Sequence, residues 1–380
     1  MPDTDPPTYE TPRSGGDSTL PSPSGRRAGE SAARGPKAGR DATFTGAIRD
    51  ARVVAPLLEV TDLRVEFRSG REIVRAVNGA TFSVRRGETA AVLGESGSGK
   101  SVTAAAIMRL LASPPAHITG GSIRFNGADV LGAPISEWRK RCGLDIGMVF
   151  QDALASLNPV FSVGWQVAEP FRAHGILHAK AALARAEALL GRVGIPEPHA
   201  RARDYPHQFS GGMRQRVMIA MAIALDPKLL IADEPTTALD VTVQAQIMDL
   251  LLDLQRERHM AMVLITHDLG VVAEVADHVA VMYGGRVVES GPVRDVLSRP
   301  AHPYTLALLE SVPRADIDQQ QLNPIVGSPP NMATLPSGCS FHPRCRMATD
   351  ECRASLPPRV EVAPGHHAEC FRAQQVFDGR

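Results

Sequence analysis

The chain has 380 residues, and its 41 lysines and arginines balance 41 aspartates and glutamates. Zero formal net charge and an aromatic content of 4% argue against a general nucleic-acid binder, which needs a basic surface or rings that stack on bases. No apolar run approaches the roughly 18–20 residues that cross a bilayer, and no early apolar segment indicates a secretory signal. We therefore expect a cytoplasmic chain of one large domain with an appendage, in which clustered cysteines favour a metal site over disulfides.

Residues 1–55 form the first predicted segment. They are rich in Pro, Gly, Ser, Arg and Asp and contain few large apolar side chains. A segment of this composition cannot bury enough surface to offset the entropy that ordering costs, so we predict a disordered tail.

An antiparallel β layer is predicted next. Apolar and polar residues begin to alternate near Leu57, as in half-buried strands, and residues 120–130 contain two shorter runs around Asn126-Gly127, a hairpin signal. Phe67 ends the first of these strands. It is a candidate to stack on the adenine of a nucleotide, and its other interpretation is a core residue.

A phosphate-binding loop is the most specific motif of the chain. The apolar run Ala90–Leu93 predicts a buried strand, a G-x-x-x-x-G-K-S pattern follows it, and helix formers come next. This context indicates a nucleotide phosphate loop, the alternative being a Gly/Ser-rich turn before a lysine. Backbone N–H groups would cradle the phosphates, Lys100 would reach the outer ones and Ser101 would hold Mg²⁺. The residues assigned to the nucleotide here are Gly94, Glu95, Ser96, Gly97, Ser98, Gly99, Lys100, Ser101 and Val102.

A helical segment spans about residues 152–215, with an alanine-rich helical pattern near its middle. Its prolines are predicted to divide it into short helices. They are Pro159, Pro170, Pro196 and Pro198. We interpret the segment as a helical subdomain inserted into a nucleotide-binding fold.

Strands and helices alternate after Val217, which predicts a largely parallel sheet. One buried strand, Leu229–Ala232, is followed by Asp233 and Glu234. Carboxylates at this end of a parallel strand face the ligand crevice. Asp233 is therefore a candidate Mg²⁺ ligand, and Glu234 a candidate to orient or deprotonate the attacking water. The alternative is that two acids simply mark a strand end.

A serine beside two glycines indicates a second phosphate site. Ser210, Gly211 and Gly212 precede a helix predicted to open at Val217, and a helix N-terminus attracts anions. Two phosphate sites in one chain suggest that the nucleotide is sandwiched between two subunits.

These motifs, in this order, resemble the ATPase subunits of ABC transporters. The resemblance rests on the phosphate loop, SGGMRQR and ADEPTTALD, and covers roughly residues 57–291, although Met213 stands where many members have Gln. It implies an α/β P-loop NTPase fold with a RecA-like core, an antiparallel β subdomain, an inserted helical subdomain and a small C-terminal extension that carries cysteines. It divides the chain at residues 1–55, 56–291 and 292–380.

The resemblance also implies residue roles. Gln151 becomes the Q-loop glutamine and joins the Mg²⁺ ligands. Asp240 belongs to the D-loop. His267 contacts the γ-phosphate. Gln151, Glu234 and His267 form the implied catalytic set. Two ATPase domains pair head to tail, so that each ATP also meets the Ser-Gly-Gly motif of the opposite domain. The implied partner is a second ATPase subunit in a heterodimer.

Other stretches resemble the oligopeptide and dipeptide branch, which includes nickel importers. They are SLNP after Gln151, AHPYTLALLESVPR over Ala301–Arg314, and GCSFHPRC. This branch implies peptide import, two separate membrane permease subunits, an extracytoplasmic peptide-binding protein and a place on the cytoplasmic face of the membrane. Nickel import is one alternative. A soluble ABC ATPase of translation or DNA repair is the other, although such proteins usually join two ATPase units or insert a long coiled coil.

Four cysteines near the C-terminus form the last motif. Cys339, Cys345, Cys352 and Cys370 have the spacing C-x5-C-x6-C-x17-C. Their number matches a [4Fe–4S] cluster or an all-cysteine zinc site, and free thiols are the third interpretation. The spacing lacks the tight steps of zinc ribbons. Some similar peptide-import ATPases carry an iron–sulfur cluster on this tail, so the resemblance favours a cluster. Such a cluster would stabilise the small C-terminal extension by cross-linking it. Cys142 stands apart and is interpreted as a packing residue.

Overall fold

The computed structural model describes residues 55–311 and 324–379. The tail predicted for residues 1–55 lies outside the described residues, apart from Ala55. Within the described ranges, no helix combines the length and the apolar composition that crossing a membrane requires.

Strands and helices give the mixed α/β fold that the sequence predicts. The strands are β1 (Leu58–Ser69), β2 (Glu72–Val84), β3 (Thr89–Leu93), β4 (Ala116–Phe125), β5 (Ala128–Asp129), β6 (Ile146–Val149), β7 (Leu229–Asp233), β8 (Ala261–Thr266), β9 (His278–Tyr283), β10 (Arg286–Pro292), β11 (Arg359–Ala363) and β12 (His366–Glu369). The α-helices are α1 (Lys100–Ile107), α2 (Ile135–Arg141), α3 (Ala153–Ser156), α4 (Val163–Ala173), α5 (Ala179–Arg192), α6 (Pro198–Arg201), α7 (Gly211–Ala222), α8 (Val241–Arg258), α9 (Leu269–Val275), α10 (Val293–Ser298), α11 (Pro303–Glu310), α12 (Asp350–Ala354) and α13 (Ala373–Phe377).

An antiparallel sheet in the order β2-β1-β4-β5 forms the predicted β layer. Its last hairpin turns at Asn126 and Gly127, whose φ angles are 51° and 77°. Both lie in the left-handed region that a two-residue hairpin turn requires, and Asn-Gly is the dipeptide best suited to it. The predicted β layer and hairpin are therefore confirmed.

The main sheet has eight strands in the order β11-β12-β10-β9-β3-β8-β7-β6. The strands from β9 to β6 run parallel to their neighbours. The other three pair antiparallel. Every residue of β3, β7 and β8 is buried, which explains why these strands are almost continuously apolar in sequence. Their carboxyl ends meet at one edge, where a parallel sheet forms its ligand crevice.

Alternate side chains of the parallel strands face two cores. In β7, Leu230 and Ala232 pack in a cluster with α4, α5, α7 and α8. Leu229 and Ile231 pack on the other face, in a cluster with the β layer and α1. The sheet therefore separates a helical side from a β side.

Helix α4 contains Pro170 instead of ending before it, contrary to the prediction that this proline breaks the segment. Proline costs a helix one backbone hydrogen bond. Val163, Val167 and Phe171 are buried on the inner face of α4, and each buried apolar side chain of this size stabilises by about 1.5–3 kcal/mol. Packing therefore outweighs the local preference.

Helix α7 begins at Gly211, with Ser210 as its N-cap, and not at Val217 as predicted. The SGGMRQR motif therefore forms the N-cap and first turns of the helix. Glycine has weak helix propensity, which hid this start in the sequence.

The C-terminal segment adds β11 and β12 to the main sheet. A buried carboxylate, Glu289 of β10, accepts hydrogen bonds from the backbone N–H groups of Ala301 at 2.6 Å and His302 at 2.9 Å. The ring Nε2 of His366, in β12, lies 2.7 Å from the same carboxylate. One buried acid thus ties three segments together, as buried polar groups with full hydrogen bonding can do.

Candidate nucleotide site

The phosphate-loop stretch Gly94–Ser101 runs from the end of β3 into the first two residues of α1, as the sequence predicts. At Gly94, a Cβ atom would lie 2.2 Å from the carbonyl oxygen of Met282. At Gly99, φ is +103° and a Cβ would lie 2.4 Å from the carbonyl oxygen of Ala76. Only glycine fits at both positions. The close backbone approach of the loop therefore requires glycine, and the loop leads into the N-terminus of α1, which attracts an anion.

Lys100 is buried beneath this loop. Its Nζ donates hydrogen bonds to the carbonyl oxygens of Gly94 at 2.8 Å and Glu95 at 3.0 Å. It also lies 4.0 Å from Oε1 of Glu234. Burial lowers the pKa of Lys100, and the nearby carboxylates of Glu234 and Asp233 oppose that shift. The ammonium group thus sits at the meeting point of the loop and the acidic strand end.

Ser101 and Asp233 come together from positions 132 residues apart. The Ser101 hydroxyl donates to Oδ1 of Asp233 at 3.0 Å. Burial raises the pKa of Asp233, and the hydrogen bond from Ser101 opposes that shift. A hydroxyl beside a carboxylate offers the hard oxygen ligands that Mg²⁺ prefers.

Glu234 is the centre of a polar ring. The side-chain amide of Gln151 donates to its Oε2 at 3.0 Å, and Nδ1 of His267 lies 3.7 Å from its Oε1. Glu234 has a φ of 45°, a left-handed conformation that costs a non-glycine residue energy and is concentrated at functional sites. The structure therefore brings the three predicted catalytic side chains together.

Thr237 is a member of this ring that the sequence analysis did not single out. Its hydroxyl donates to Oε2 of Glu234 at 2.9 Å. The sequence did place Thr237 three residues after Glu234, in the turn before α8. Threonine is common in turns, so this spacing alone does not indicate a functional residue.

The Ser-Gly-Gly motif lies elsewhere, against the start of α8. The Ser210 hydroxyl accepts from the N–H of Met213 at 3.4 Å, and Asp240 accepts from the N–H of Val243 at 2.9 Å, so each caps its own helix. A Cβ on Gly212 would approach Val243 Cγ1 to 2.7 Å. Ser210, Gly211 and Asp240 are exposed. Among the described hydrogen bonds, these residues make none with the phosphate loop.

Two other predicted residues pack against the core of the β side. Phe67 lies within β1, and Val102 in the first turn of α1, and both are partly buried against that cluster. A role for Phe67 in adenine stacking stays a prediction. Cys142 packs against the same cluster, with its Sγ 3.9 Å from the carbonyl oxygen of Met108.

Comparisons with known proteins identify the family. The family described as ABC transporter matches residues 77–237, and the oligopeptide/dipeptide transporter C-terminal region matches residues 288–352. The oligopeptide transport ATP-binding protein OppD of Escherichia coli is 51% identical over 316 residues, which cover 83% of this chain and 93% of that protein. This chain belongs to the ATP-binding subunits of ABC transporters. As a member of that family it is an ATPase that uses ATP and Mg²⁺.

Further relatives extend the comparison. The dipeptide transport ATP-binding protein DppD of Bacillus subtilis is 46% identical over 319 residues, or 84% of this chain and 95% of that one. A dimeric structure of the ATP-binding cassette MJ0796, bound to ADP and Pi, has a TM-score of 0.56 and 28% identity, covering 62% of this chain and 99% of its own. CbiO1 of Clostridium perfringens has a TM-score of 0.53 and 31% identity, covering 64% of this chain and 91% of its own. The predicted P-loop NTPase fold is confirmed.

Proposed function

We propose that this chain is the ATP-hydrolysing subunit that powers import of peptides through a membrane ABC transporter. The observation that carries the catalytic part is the convergence of the Ser101–Asp233 pair, Lys100 and Glu234 at the carboxyl edge of the parallel sheet. The cargo is inferred from the relatives named for oligopeptide and dipeptide transport, together with the C-terminal region match.

In this proposal the chain positions ATP and stabilises charge, which is the main contribution of proteins to phosphoryl transfer. The phosphate loop cradles the phosphates, while Ser101, Asp233 and Gln151 hold Mg²⁺. Glu234 orients or deprotonates the attacking water, and His267 contacts the γ-phosphate. The Gln151 and His267 side chains beside Glu234 support this assignment.

The second half of the site comes from a partner. Ser210, Gly211, Gly212 and Asp240 of one ATPase subunit meet the ATP of the other in a head-to-tail dimer. The exposure of Ser210, Gly211 and Asp240 supports this arrangement. So does the position of Ser210 as the N-cap of α7, because a helix N-terminus attracts a phosphate. ATP would close the dimer, and hydrolysis would release it.

The remaining partners follow from the proposed transport role. The second ATPase subunit differs from this one, two permease subunits span the membrane, and an extracytoplasmic protein captures the peptide. The chain then lies on the cytoplasmic face of the membrane, held there by the permeases.

Reconstitution of the complete transporter in vesicles tests the proposed function. We expect uptake of a labelled peptide that requires ATP and is abolished by Glu234→Gln. Nickel uptake is measured in parallel. Transport of nickel without peptide, or purification of the chain with ribosomes or DNA instead of permeases, would contradict peptide import.

We further propose that Cys339, Cys345, Cys352 and Cys370 hold a [4Fe–4S] cluster. All four line one cavity. In residues 55–311 and 324–379, no group of three or more His, Cys, Asp or Glu side chains is arranged to hold a metal ion. A zinc ion draws its ligands to one atom, whereas a cluster distributes its thiolates over several irons. Four cysteines on one cavity supply the ligand number of either site, and the resemblance to peptide-import ATPases that carry a cluster favours the cluster.

The hydrogen bonds around the cavity suit sulfur ligands. The backbone N–H groups of Phe341, Met347 and Arg372, each two residues after a cysteine, lie within reach of that cysteine's sulfur. The N–H of Arg372 is 3.3 Å from the Sγ of Cys370. Burial raises the pKa of Cys370 to about 12, so binding to iron would displace its proton. When bound, the cluster would supply a covalent link between the loops that carry the cysteines.

His302 supplies an independent sign that the cavity holds an acceptor. Its Nδ1 accepts from the N–H of Tyr304 at 3.0 Å, and burial lowers its pKa to about 3, so the ring is neutral with its proton on Nε2. That Nε2 is buried and has no hydrogen-bond partner among the described residues, while the ring lines the cysteine cavity. A buried donor without a partner is rare. A cluster sulfur in the cavity would accept from it.

Anaerobic purification tests the cluster. We expect a brown protein with iron and sulfide in equal amounts, and loss of both in Cys370→Ser. The matched control is Cys142→Ser, which changes a cysteine outside the cavity and should keep the colour. Stoichiometric zinc without iron would contradict the proposal.

A further inference from the structure

The C-terminal segment contacts the phosphate loop directly through Glu95. The guanidinium group of Arg344 forms a two-pronged ion pair with the Glu95 carboxylate, Nη1 to Oε2 at 2.6 Å and Nη2 to Oε1 at 3.1 Å. Only 6% of the Arg344 side chain is exposed. A planar, nearly buried contact of this kind fixes both the position and the orientation of the carboxylate.

The main chain of Glu95 is held as well. Its N–H donates to the hydroxyl of Tyr304 at 3.0 Å, and its carbonyl oxygen accepts from Lys100 at 3.0 Å. Tyr304 is fully buried and belongs to α11. Every polar group of Glu95 therefore has a partner, and two of those partners come from the segment that follows β10.

Arg344 is itself fixed on its far side. Its Nε donates to the carbonyl oxygen of Val326 at 3.1 Å, and its Nη1 lies 3.4 Å from the hydroxyl of Tyr283. The rings of Tyr283, Tyr304 and Phe341 pack together with centroid separations of 4.5, 5.1 and 5.4 Å. Close-packed aromatic groups of this kind resist displacement. The contact to Glu95 is therefore anchored in a rigid cluster.

We propose that Arg344 and Tyr304 are positioning residues for ATP, which hold the phosphate loop through Glu95 in the shape that accepts the nucleotide. The loop is rich in glycine and would otherwise sample many backbone conformations. Restricting it in advance raises the fraction of binding-competent molecules and so tightens binding. The C-terminal segment thereby sets the affinity for ATP. The inference rests on the nucleotide-site part of the proposed function and is independent of the cargo.

Substitution of Arg344 in the full-length chain tests the proposal. We expect Arg344→Met to raise the Kd and KM for ATP about tenfold while kcat changes by less than about twofold, because a positioning group acts on binding and not on the reacting atoms. Arg344→Lys keeps the charge but loses the two-pronged contact. Its Kd and KM for ATP should lie between those of the wild type and of Arg344→Met. Titration with a fluorescent ATP analogue and steady-state hydrolysis give these values.

Arg346→Met is the matched control. Arg346 follows Arg344 by two residues, is 68% exposed, and lies 3.8 Å from Glu310, so its loss should leave ATP affinity unchanged. Tyr304→Phe is the second probe, because it keeps the buried ring and removes only the acceptor of the Glu95 N–H. It should raise the Kd and speed hydrogen exchange of the amides at residues 94–101.

The proposal is overturned if Arg344→Lys and Tyr304→Phe, each with the wild-type Tm, bind ATP as tightly as the wild type. Lys100→Ala distinguishes this outcome from a failure of the proposed nucleotide site. If Lys100→Ala also binds ATP normally, the assignment of the phosphate loop is wrong. If it loses binding while the other two variants keep it, only the positioning role is wrong.

Discussion

At the scale of single residues, the site concentrates its chemistry on two neighbouring acids with different surroundings. Asp233 is the last residue of β7 and is 4% exposed, with the Ser101 hydroxyl as its partner. Glu234 follows the strand in a left-handed backbone conformation. Its carboxylate accepts hydrogen bonds from Gln151 and Thr237. Because consecutive strand residues point to opposite sides, Asp233 faces Ser101 of the phosphate loop, and the change in backbone direction at Glu234 turns the second acid toward Gln151 and Thr237.

Glu234→Gln separates binding from hydrolysis. The amide keeps the size of the side chain but cannot deprotonate water, so we expect ATP affinity near that of the wild type and a kcat lowered by about 10²–10⁴, the usual contribution of a general base. Glu257→Gln is the control, because Glu257 is an exposed acid paired with Arg192. Normal hydrolysis in Glu234→Gln would remove this residue from its proposed role.

Asp233→Asn should stabilise the nucleotide-free protein while abolishing its response to Mg²⁺-ATP. Burial raises the pKa of Asp233 in the folded state. The folded state therefore binds the proton more tightly, so the wild type loses stability as pH rises from the unfolded to the folded pKa. Asparagine carries no charge and escapes this cost. Thermal melts at pH 3.5 and pH 8 should show a Tm gain of a few degrees at pH 8 and little gain at pH 3.5, which lies below the ordinary aspartate pKa of about 3.9. A lower Tm at pH 8 would contradict this account.

At the scale of elements, α7 and α8 meet at a point where only glycine fits. A Cβ on Gly212 would lie 2.7 Å from Val243 Cγ1, and Leu239 lies beside Gly211. The sequence indicated these glycines as a phosphate site, and it gave no sign that they also allow two helices to approach. That second role depends on a residue 31 positions away, so no local pattern could reveal it.

Gly212→Ala and the double variant Gly212→Ala/Val243→Ala separate the two roles of this glycine. The single variant should lose about 1–3 kcal/mol of stability through overpacking, and the double variant should recover most of it. If Gly212 also serves the partner's ATP, hydrolysis stays low in the stable double variant. Full recovery of hydrolysis with stability would show that the glycine serves packing alone.

At the scale of the whole molecule, the described part of the chain carries a phosphate loop and, on a different helix, a Ser-Gly-Gly motif whose Ser210 and Gly211 are exposed. Beside the first lie Asp233, Glu234 and Gln151, to which the proposed function gives roles in hydrolysis. The second caps α7 and makes no described hydrogen bond with the loop. A site built from two such halves needs two ATPase domains, so the activity should depend on association.

If the proposed composite site is correct, hydrolysis per mole of chain should rise with protein concentration, because the active species is then a dimer whose population follows mass action. We expect the rate to rise further when the second ATPase subunit is added, if the natural pair is heteromeric. The measurement is specific ATPase activity from nanomolar to micromolar chain. A specific activity that stays constant across this range, in a chain that remains monomeric, would contradict the composite site.

The sequence by itself determined the motifs and most of the elements. The phosphate loop, the buried strand before Asp233 and the Asn126-Gly127 turn depend on backbone conformation and burial patterns within about ten residues, which composition and spacing express directly. Only the tertiary structure decided how distant segments meet. Packing allows Pro170 to lie inside a helix. The fold also brings Gln151 into hydrogen-bond contact with Glu234, and Arg344 into an ion pair with Glu95, which is 249 residues away in the chain. Such contacts depend on packing across the whole fold, so no local pattern in the chain encodes them.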